Sequence, residues 1–350
     1  MRLCKISDIV GYEKLARAVM TPDYTELLAV GTILKPEYVS KLEQLGITEV
    51  LIEDTKLKPE EVQILREDVE DLFKEKVRSV LERHVYSDNS ELKELSETAD
   101  KIISSILENE DIVEQIFDIR ERSADIYEHS ISVCSLTILI GAKLKLSRDE
   151  LHDLGVAAIF HDIGLRYLNF DYTNTEIEEL DDKQKTEYKK HPAYAFSSLE
   201  KENWISKNAK MMILQHHERM DGSGYPMHAK NPAVTTQILQ VTDAFDEMIC
   251  GIGCRRNKVY EAVEYLKITK GSKFSNRIVD LLLDFTAVYP AGSLVSLSSG
   301  EIALVLKQNK QFPERPILKV VKEADGSEVS DDRIIDLLEV RTIYIEKVIM

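Results

Sequence analysis

Residues 147–164, SRDELHDLGVAAIFHDIG, form the stretch on which the predicted fold rests. Ser147 and Glu150 have the spacing of a capping box, which predicts that a helix begins here. The adjacent pair His161-Asp162 stands near the end of this helix, just before a glycine that lets the chain turn away. Because adjacent helical residues diverge by about 100°, such a pair can give one ligand to each of two metal ions or bridge them through one carboxylate.

Other histidines and aspartates stand in equally short and sharply marked contexts. They occur in EHS, KHPAYA, QHHERMDGSGYP and VTDAFD. Imidazole and carboxylate groups are the ligands that hold hydrolytic transition metals. Asp125 precedes His129 by four residues on a predicted helix, so both side chains are expected to face one way. The residues assigned to one metal site are His129, His161, Asp162, His191, His216, His217 and Asp243.

The doublet His216-His217 indicates a site that is wide enough for two metals. Two metals about 3.5–4 Å apart are the usual arrangement for attack on a phosphoester by a bridging hydroxide. Each residue also has a simpler explanation, since a lone histidine such as His191 is commonly structural, the doublet can serve a helix dipole, and Asp243 can be solvated. Their joint occurrence in this order favours the metal site.

Composition and charge limit the classes of partner. The chain has 350 residues and a formal net charge of -17, which disfavours a polymeric nucleic acid as partner. A small anionic nucleotide stays open, because bound metal cations would invert the local field. Four scattered cysteines, an N-terminus without the pattern of a signal peptide and the lack of a long apolar run predict a cytoplasmic protein that does not span a membrane.

Apolar residues at helical spacing dominate the chain and predict a mainly α protein. The predicted segments are a small α/β module over 1–60, connecting helices over 61–119, a helical bundle over 120–289 and a small β module over 290–350. In the last segment, alternating apolar residues around a Ser-Gly turn predict a hairpin.

Two long helices are predicted inside the bundle. One covers 120–146, and the other begins after Asp181 and continues to 199.

The sequences FHDIG, HHERMDGSGYP and TDAFD resemble those of the HD-GYP family of metal-dependent phosphodiesterases, a branch of the HD superfamily. The resemblance covers about 120–289, and the HHE-x-x-DGSGYP run is its most specific part. It implies an HD-type helical bundle that holds two iron or manganese ions. It also implies bacterial signalling chemistry, in which a metal-bridging hydroxide opens cyclic di-GMP to linear pGpG or on to GMP.

The resemblance also implies roles for individual residues. The family's metal ligands fall on the seven residues assigned above, with Asp162 and His161 at the catalytic centre. An acidic residue one turn before the first histidine falls on Asp125, where a glutamate accompanies a third metal in some members. Aspartate is shorter, so two metals are expected and a third is not. The turn expected to line the nucleotide pocket is Gly224, Tyr225 and Pro226, with Tyr225 contacting the ligand.

Two positions depart from the family pattern. Leu165 stands where a lysine is usual, and Ile252 stands where an arginine is usual. A charge-assisted contact to phosphate is worth about 1.5–3 kcal/mol, so losing two would weaken binding by a few hundredfold. Arg255 and Lys258 are the candidates to replace these cations. Glu218 is expected either to orient a ligand histidine or to be solvated.

Three functions follow in order of support. The first is a two-metal phosphodiesterase for cyclic di-GMP or a related cyclic dinucleotide, which rests on the intact ligand set. The second is the same chemistry on another phosphoester, favoured by Leu165 and Ile252. The third is a non-catalytic, metal-containing protein that senses nucleotides or binds partners. The N-terminal segment is compatible with a sensory or dimerisation role, so a homodimer stays open.

Overall fold

The helices of the central region begin where the sequence places capping residues. The computed structural model describes residues 1–11, 13–21, 24–53, 59–84, 91–108, 111–310, 312–327, 329 and 332–349. These residues form two compact units, one made of 1–61 with 289–350 and the other of 62–288. The prediction of a mainly α fold with a small C-terminal β region is confirmed.

The unit over 62–288 is built from helices. Its helices are α2 Glu67–His84, α3 Glu94–Leu107, α4 Ile126–Lys143, α5 Arg148–Phe160, α6 Asp182–Tyr188, α7 His191–Leu199, α8 Lys207–Gln215, α9 Val234–Cys250, α10 Val259–Thr269 and α11 Asn276–Asp284. The capping box predicted for α5 is confirmed, because the Ser147 hydroxyl accepts from the backbone N–H of Glu150 and the Glu150 carboxylate accepts in return. Helix α4 lies in the centre of this unit, with most of its length buried.

Helix α4 begins later than predicted, and its start changes the setting of Asp125. The prediction of one helix from 120 is wrong, since Asp125 is the N-cap of α4 and not a residue inside it. Its carboxylate accepts from the backbone N–H groups of Tyr127 at 2.9 Å and Glu128 at 3.2 Å. A short carboxylate side chain competes for these otherwise unpaired N–H groups, which is why aspartate favours a helix start over a helix interior.

The predicted helix from Asp181 is two helices, α6 and α7, with a break before His191. Pro192 accounts for the break. A proline has no N–H to donate to the carbonyl four residues earlier, which here is that of Tyr188. Asp181 does cap α6 as predicted, in a capping box with Gln184.

The other unit combines both ends of the chain. Its secondary structure consists of β1 Arg2–Lys5, β2 Val19–Met20, β3 Glu26–Leu28, α1 Pro36–Gln44, β4 Glu49–Ile52, β5 Leu294–Leu297, β6 Ile302–Asn309, β7 Phe312–Lys322, β8 Ile334–Asp336 and β9 Ile345–Val348. Strand β1 pairs with β4 and β2 with β3, both antiparallel. The remaining strands form one sheet in the order β8-β7-β6-β5-β9. The hairpin predicted around the Ser-Gly turn is confirmed by the antiparallel pairing of β5 and β6.

One apolar cluster joins the two ends of the chain within this unit. Ala16 and Leu51 pack with Leu294, Leu304 and Leu306. The first and last segments were predicted as separate modules, because local patterns carry no record of contacts that span most of the chain. Across the described part of the chain, no helix has both the length and the apolar character needed to cross a membrane.

Candidate metal centre

The predicted ligands are buried, and most stand at helix ends. His161 is the C-cap of α5 and Asp162 follows it, while His191 opens α7 and His216 is the C-cap of α8. Helix ends leave backbone carbonyls without helical partners, so these side chains have acceptors close by. The buried polar residues that the structure brings together are His129, His161, Asp162, His191, His216, His217 and Asp243.

These side chains form two ligand groups that share Asp162. The first group is His129, His161, Asp162 and Asp243, and the second group is Asp162, His191, His216 and His217. Within each group the candidate ligand atoms lie within 4.8 Å of one another.

The two carboxylate oxygens of Asp162 face different groups. Its Oδ1 lies 3.3 Å from His191 Nε2 and 3.5 Å from His216 Nε2. Its Oδ2 lies 3.5 Å from His129 Nε2 and 3.6 Å from His161 Nε2. One carboxylate therefore stands between two sets of imidazoles, with one oxygen directed at each.

The main chain decides which ring nitrogen of three histidines faces the cluster. A carbonyl can only accept, so each Nδ1 carries its hydrogen and the neutral ring presents a bare Nε2. Each Nδ1 lies 2.7 Å from a backbone carbonyl oxygen. His161 donates to the carbonyl of Ala158, His191 to that of Tyr188, and His216 to that of Ile213. The Nε2 atoms of His191 and His216 are then 3.1 Å apart with lone pairs facing each other. A cation between them would satisfy both.

Buried oxygens and nitrogens at the centre also lack partners. Both carboxylate oxygens of Asp162, Oδ2 of Asp243 and Nε2 of His217 are buried without a hydrogen bond. Such atoms cost about 1–3 kcal/mol each when left unpaired. The set of neutral imidazoles and carboxylates fits divalent transition metals, so the observed side chains suit the metal that the sequence predicts.

Electrostatics favour the metal-binding forms of the two carboxylates and of His217. They act the other way on His129 and His161, because burial opposes protonation of both rings but neighbouring carboxylates raise the pKa of each. Burial opposes ionisation of Asp162, but neighbouring histidines, His161 foremost, hold its pKa well below the usual range. Asp243 behaves in the same way, with burial opposed by His161. Burial also lowers the pKa of His217 well below its ordinary value, and the neighbouring imidazoles of His216 and His191 lower it further. Ionised carboxylates and neutral imidazoles are the forms that bind metal.

Comparison with known proteins relates this centre to a family. Residues 111–278 match the family model described as HD domain, and residues 294–350 match that of the KOW domain associated with HD domain. We call residues 111–278 the HD domain after this match. The predicted resemblance to HD-GYP proteins is confirmed.

Two curated relatives are named cyclic di-GMP phosphodiesterases. One, from Pseudomonas aeruginosa, is 25% identical over 245 residues, covering 69% of this chain and 59% of the relative. Another, from Borreliella burgdorferi, is 24% identical over 210 residues, covering 58% of this chain and 55% of the relative. The chain thus spans somewhat more than half the length of these relatives.

A solved HD-GYP-type structure shares the fold. The structure of an HDG"Y"P protein from Bdellovibrio bacteriovorus aligns with a TM-score of 0.54 at 18% identity, covering 81% of this chain and 98% of that one. At this identity the match supports the architecture of the HD domain alone.

An ionic network supports the first group of the HD domain, and sequence analysis did not find it. Asp246 is buried, and its Oδ2 lies 2.7 Å from His129 Nδ1. Its Oδ1 accepts from the Ser132 hydroxyl at 2.6 Å, and Arg122 forms an ion pair with Oδ2. Burial opposes ionisation of Asp246, but Arg122 and His129 lower its pKa. The only available signal was its place as the second aspartate of VTDAFD.

Asp125 is not brought into either ligand group. Its carboxylate caps α4, forms an ion pair with Arg78 and lies 3.6 Å from the ammonium of Lys74. In this arrangement Asp125 contributes to the start of a helix.

The GYP turn lies against the second group. The Tyr225 ring stacks on His217 with centroids 4.7 Å apart, and its buried hydroxyl has no hydrogen-bond partner. Gly224 allows this approach, since a Cβ there would lie 2.3 Å from the His217 carbonyl oxygen. Glu218 holds the turn, because its carboxylate accepts from the backbone N–H groups of Met227 at 2.6 Å and Ala229 at 2.9 Å. Glu218 is fully buried, so the expectation of a solvated side chain is wrong.

The residues that replace the family's cations are inside the protein. Leu165 and Ile252 are both 1% exposed and pack in one apolar cluster with Tyr188 and Cys250. At these two positions, the lysine and the arginine of the family pattern are replaced by apolar side chains that pack in the interior.

The two candidate replacements, Arg255 and Lys258, lie in the segment that leads into α10. The Arg255 side chain is exposed and forms a 2.6 Å ion pair with Glu179. Lys258 is the N-cap of α10, and its backbone N–H donates to Glu261 at 2.7 Å.

Proposed function

We propose that the HD domain is a two-metal phosphodiesterase that hydrolyses cyclic di-GMP or a related cyclic dinucleotide. The observation that carries this proposal is the position of Asp162, whose two oxygens face two separate sets of imidazoles. A carboxylate shared between two ligand groups can bridge two metal ions, and paired metal ions are a recurrent arrangement in hydrolytic centres. The names of the curated relatives support the choice of substrate.

The residues of the chain have separate tasks in this reaction. The first and second groups would each hold one divalent metal, with iron and manganese the best fit to mixed imidazole and carboxylate donors. Such metals supply Lewis-acid activation of water and of the phosphoryl oxygens. His161 and Asp162 would be metal ligands at the catalytic centre. Tyr225 lies beside His217, and its buried hydroxyl has no hydrogen-bond partner among the described residues. This hydroxyl is suited to donate a hydrogen bond to the substrate.

The product is expected to be linear pGpG, or GMP where a second ester is cleaved. Charge on the phosphates would be met mainly by the metals, because Leu165 and Ile252 offer none. Arg255 could serve only by leaving its ion pair with Glu179. The apolar packing of Leu165 and Ile252 specifically favours a second candidate, namely the same hydrolysis on a phosphoester with fewer anionic contacts.

The test is anaerobic hydrolysis of cyclic di-GMP by protein loaded with Fe(II) or Mn(II), with products separated by chromatography. The wild type and Asp149→Ala, which removes an exposed carboxylate from the same helix as His161, should release pGpG or GMP. Asp162→Ala should release neither. A wild type that binds two metals and leaves cyclic di-GMP intact would overturn this substrate and favour another phosphoester.

A further inference from the structure

One largely buried carboxylate beside the candidate metal centre has no role in the site described so far. Glu247 stands on α9 one turn after Asp243, so the two side chains share a helix face. Its Oε1 lies 3.7 Å from His217 Nε2, and its side chain is 13% exposed. Candidate ligand atoms of His217, Asp243 and Glu247 lie within 4.8 Å of one another.

Two of these three residues carry a buried atom without a partner. His217 Nε2 and Asp243 Oδ2 make no hydrogen bond. The 3.7 Å separation between Glu247 and His217 is too long for a hydrogen bond. It does match the spacing of two donors that bind one cation, since each donor would be about 2.0–2.2 Å from the metal. The unpaired atoms therefore point to a shared cation.

The local charge also calls for a cation. Carboxylates at i and i+4 on a helix repel each other, and Asp243 and Glu247 are arranged in that way within a buried site. Arg219 is the nearby positive side chain, but it donates to the backbone carbonyls of His216 at 3.0 Å and Glu218 at 2.9 Å. It also stacks over the Phe274 ring at 4.9 Å. These contacts direct Arg219 to the main chain and to Phe274, so its charge offsets the two carboxylates only in part.

We propose that Glu247 is a further metal ligand, which binds the same cation as His217 and lies beside Asp243. It adds one carboxylate to the second group, which raises the share of oxygen donors. The enlarged second group has two carboxylates beside three imidazoles, and carboxylate donors suit manganese, so Mn(II) is a suitable probe for this site. The inference deepens the proposed function and rests on the metal centre proposed there.

The test compares Glu247→Gln with Glu264→Gln in the full-length chain. Both changes remove one negative charge and keep the side-chain length, but Glu264 is exposed on α10. Binding of Mn(II) is measured by equilibrium dialysis and by electron paramagnetic resonance of the bound ions. Glu247→Gln should weaken one of the Mn(II)-binding steps by about tenfold or more. Loss of a direct ligand should cost at least as much affinity as loss of a residue that only orients a ligand. Glu264→Gln should bind as the wild type does.

A measurement without metal guards against a folding defect. If Glu247 faces other carboxylates, metal-free Glu247→Gln should melt no lower than the metal-free wild type, while gaining less from added Mn(II). Glu247→Asp keeps the charge and should bind Mn(II) more tightly than Glu247→Gln. Equal binding by the wild type, the Gln variant and the Asp variant would overturn the role of Glu247. A wild type that binds no Mn(II) would instead overturn the metal centre of the proposed function.

Discussion

The two ligand groups share one means of orientation and differ in another, because His161 of the first group also donates to a backbone carbonyl. In the first group, His129 is held by the buried carboxylate of Asp246, which is itself paired with Arg122. In the second group, His191 and His216 are oriented by backbone carbonyls. The first group therefore depends on an ion pair that a single substitution can remove. The second depends on the path of the main chain and on the packing that fixes this path.

Apolar packing supports His191 in the second group, as the ion pair between Asp246 and Arg122 supports His129 in the first. Tyr188, whose carbonyl orients His191, packs its side chain against Leu165 and Ile252. Gly164 comes so close to the His191 carbonyl oxygen that a Cβ would lie 2.0 Å from it. Buried apolar contacts thus support His191, a proposed metal ligand, although none of these apolar side chains can bind a metal.

Asp162→Ala should have the largest effect, because it removes the residue common to both groups. We expect both metal-binding steps to weaken by more than about 100-fold, beyond the range for residues outside the ligand set. Calorimetric titration with Mn(II) measures both steps, and circular dichroism checks that the helices persist. Loss of only one step would show that Asp162 does not bridge the groups.

Asp246→Asn should separate the groups. We expect about 10–100-fold weaker metal binding at the first group alone, because His129 loses its carboxylate partner. Leaving the Arg122 charge without its buried partner should also cost about 3 kcal/mol of unfolding free energy, which urea denaturation measures. Ser132→Ala removes only the hydroxyl that donates to the same carboxylate and serves as the milder control. Equal weakening of both steps would contradict the division into two groups.

Gly164→Ala should affect the second group. The added methyl must displace the start of α7, which we expect to cost about 1–3 kcal/mol of stability and to weaken one metal-binding step by about tenfold. In combination with Asp246→Asn, both steps should weaken, with effects that add if the groups are independent. If the double variant loses no more than Asp246→Asn alone, packing at Gly164 does not support His191.

Ile252→Val should give the smallest effect. Removing one buried methylene is expected to cost about 0.5–1.5 kcal/mol, while both metal-binding steps stay within about threefold of the wild type. Thermal unfolding with and without Mn(II) measures these quantities. A large loss of metal binding would show that the second group tolerates far less movement of Tyr188 than its backbone hydrogen bond implies.

Local signals were enough to predict much of the helical unit and to name the buried histidines and aspartates that the structure brings together. The capping box at Ser147 and Glu150 fixed the start of α5, and His161-Asp162 followed from its end. Short motifs carry such information because a cap, a turn and an adjacent pair of ligands each involve only a few neighbouring residues. The helix α10 was missed, since no comparable pattern was recognised over Val259–Thr269.

Long-range partners could not be predicted. Asp246 meets His129 across more than a hundred residues, and Ala16 meets Leu294 across most of the chain. Nothing in the neighbourhood of either residue specifies its partner. Asp125 was misplaced for a related reason, because periodicity alone does not separate a capping aspartate from one inside the helix.

The backbone contact of His191 has a consequence for the chemistry of the ring. Its Nδ1 donates to the carbonyl of Tyr188, and His161 and His216 make the same contact with the carbonyl three residues before them. The acceptor in each case belongs to the main chain, so the lone pair offered to a metal does not depend on the side chain that stands three residues earlier. Sequence drift at Tyr188 can therefore change a side chain without disturbing the tautomer of His191.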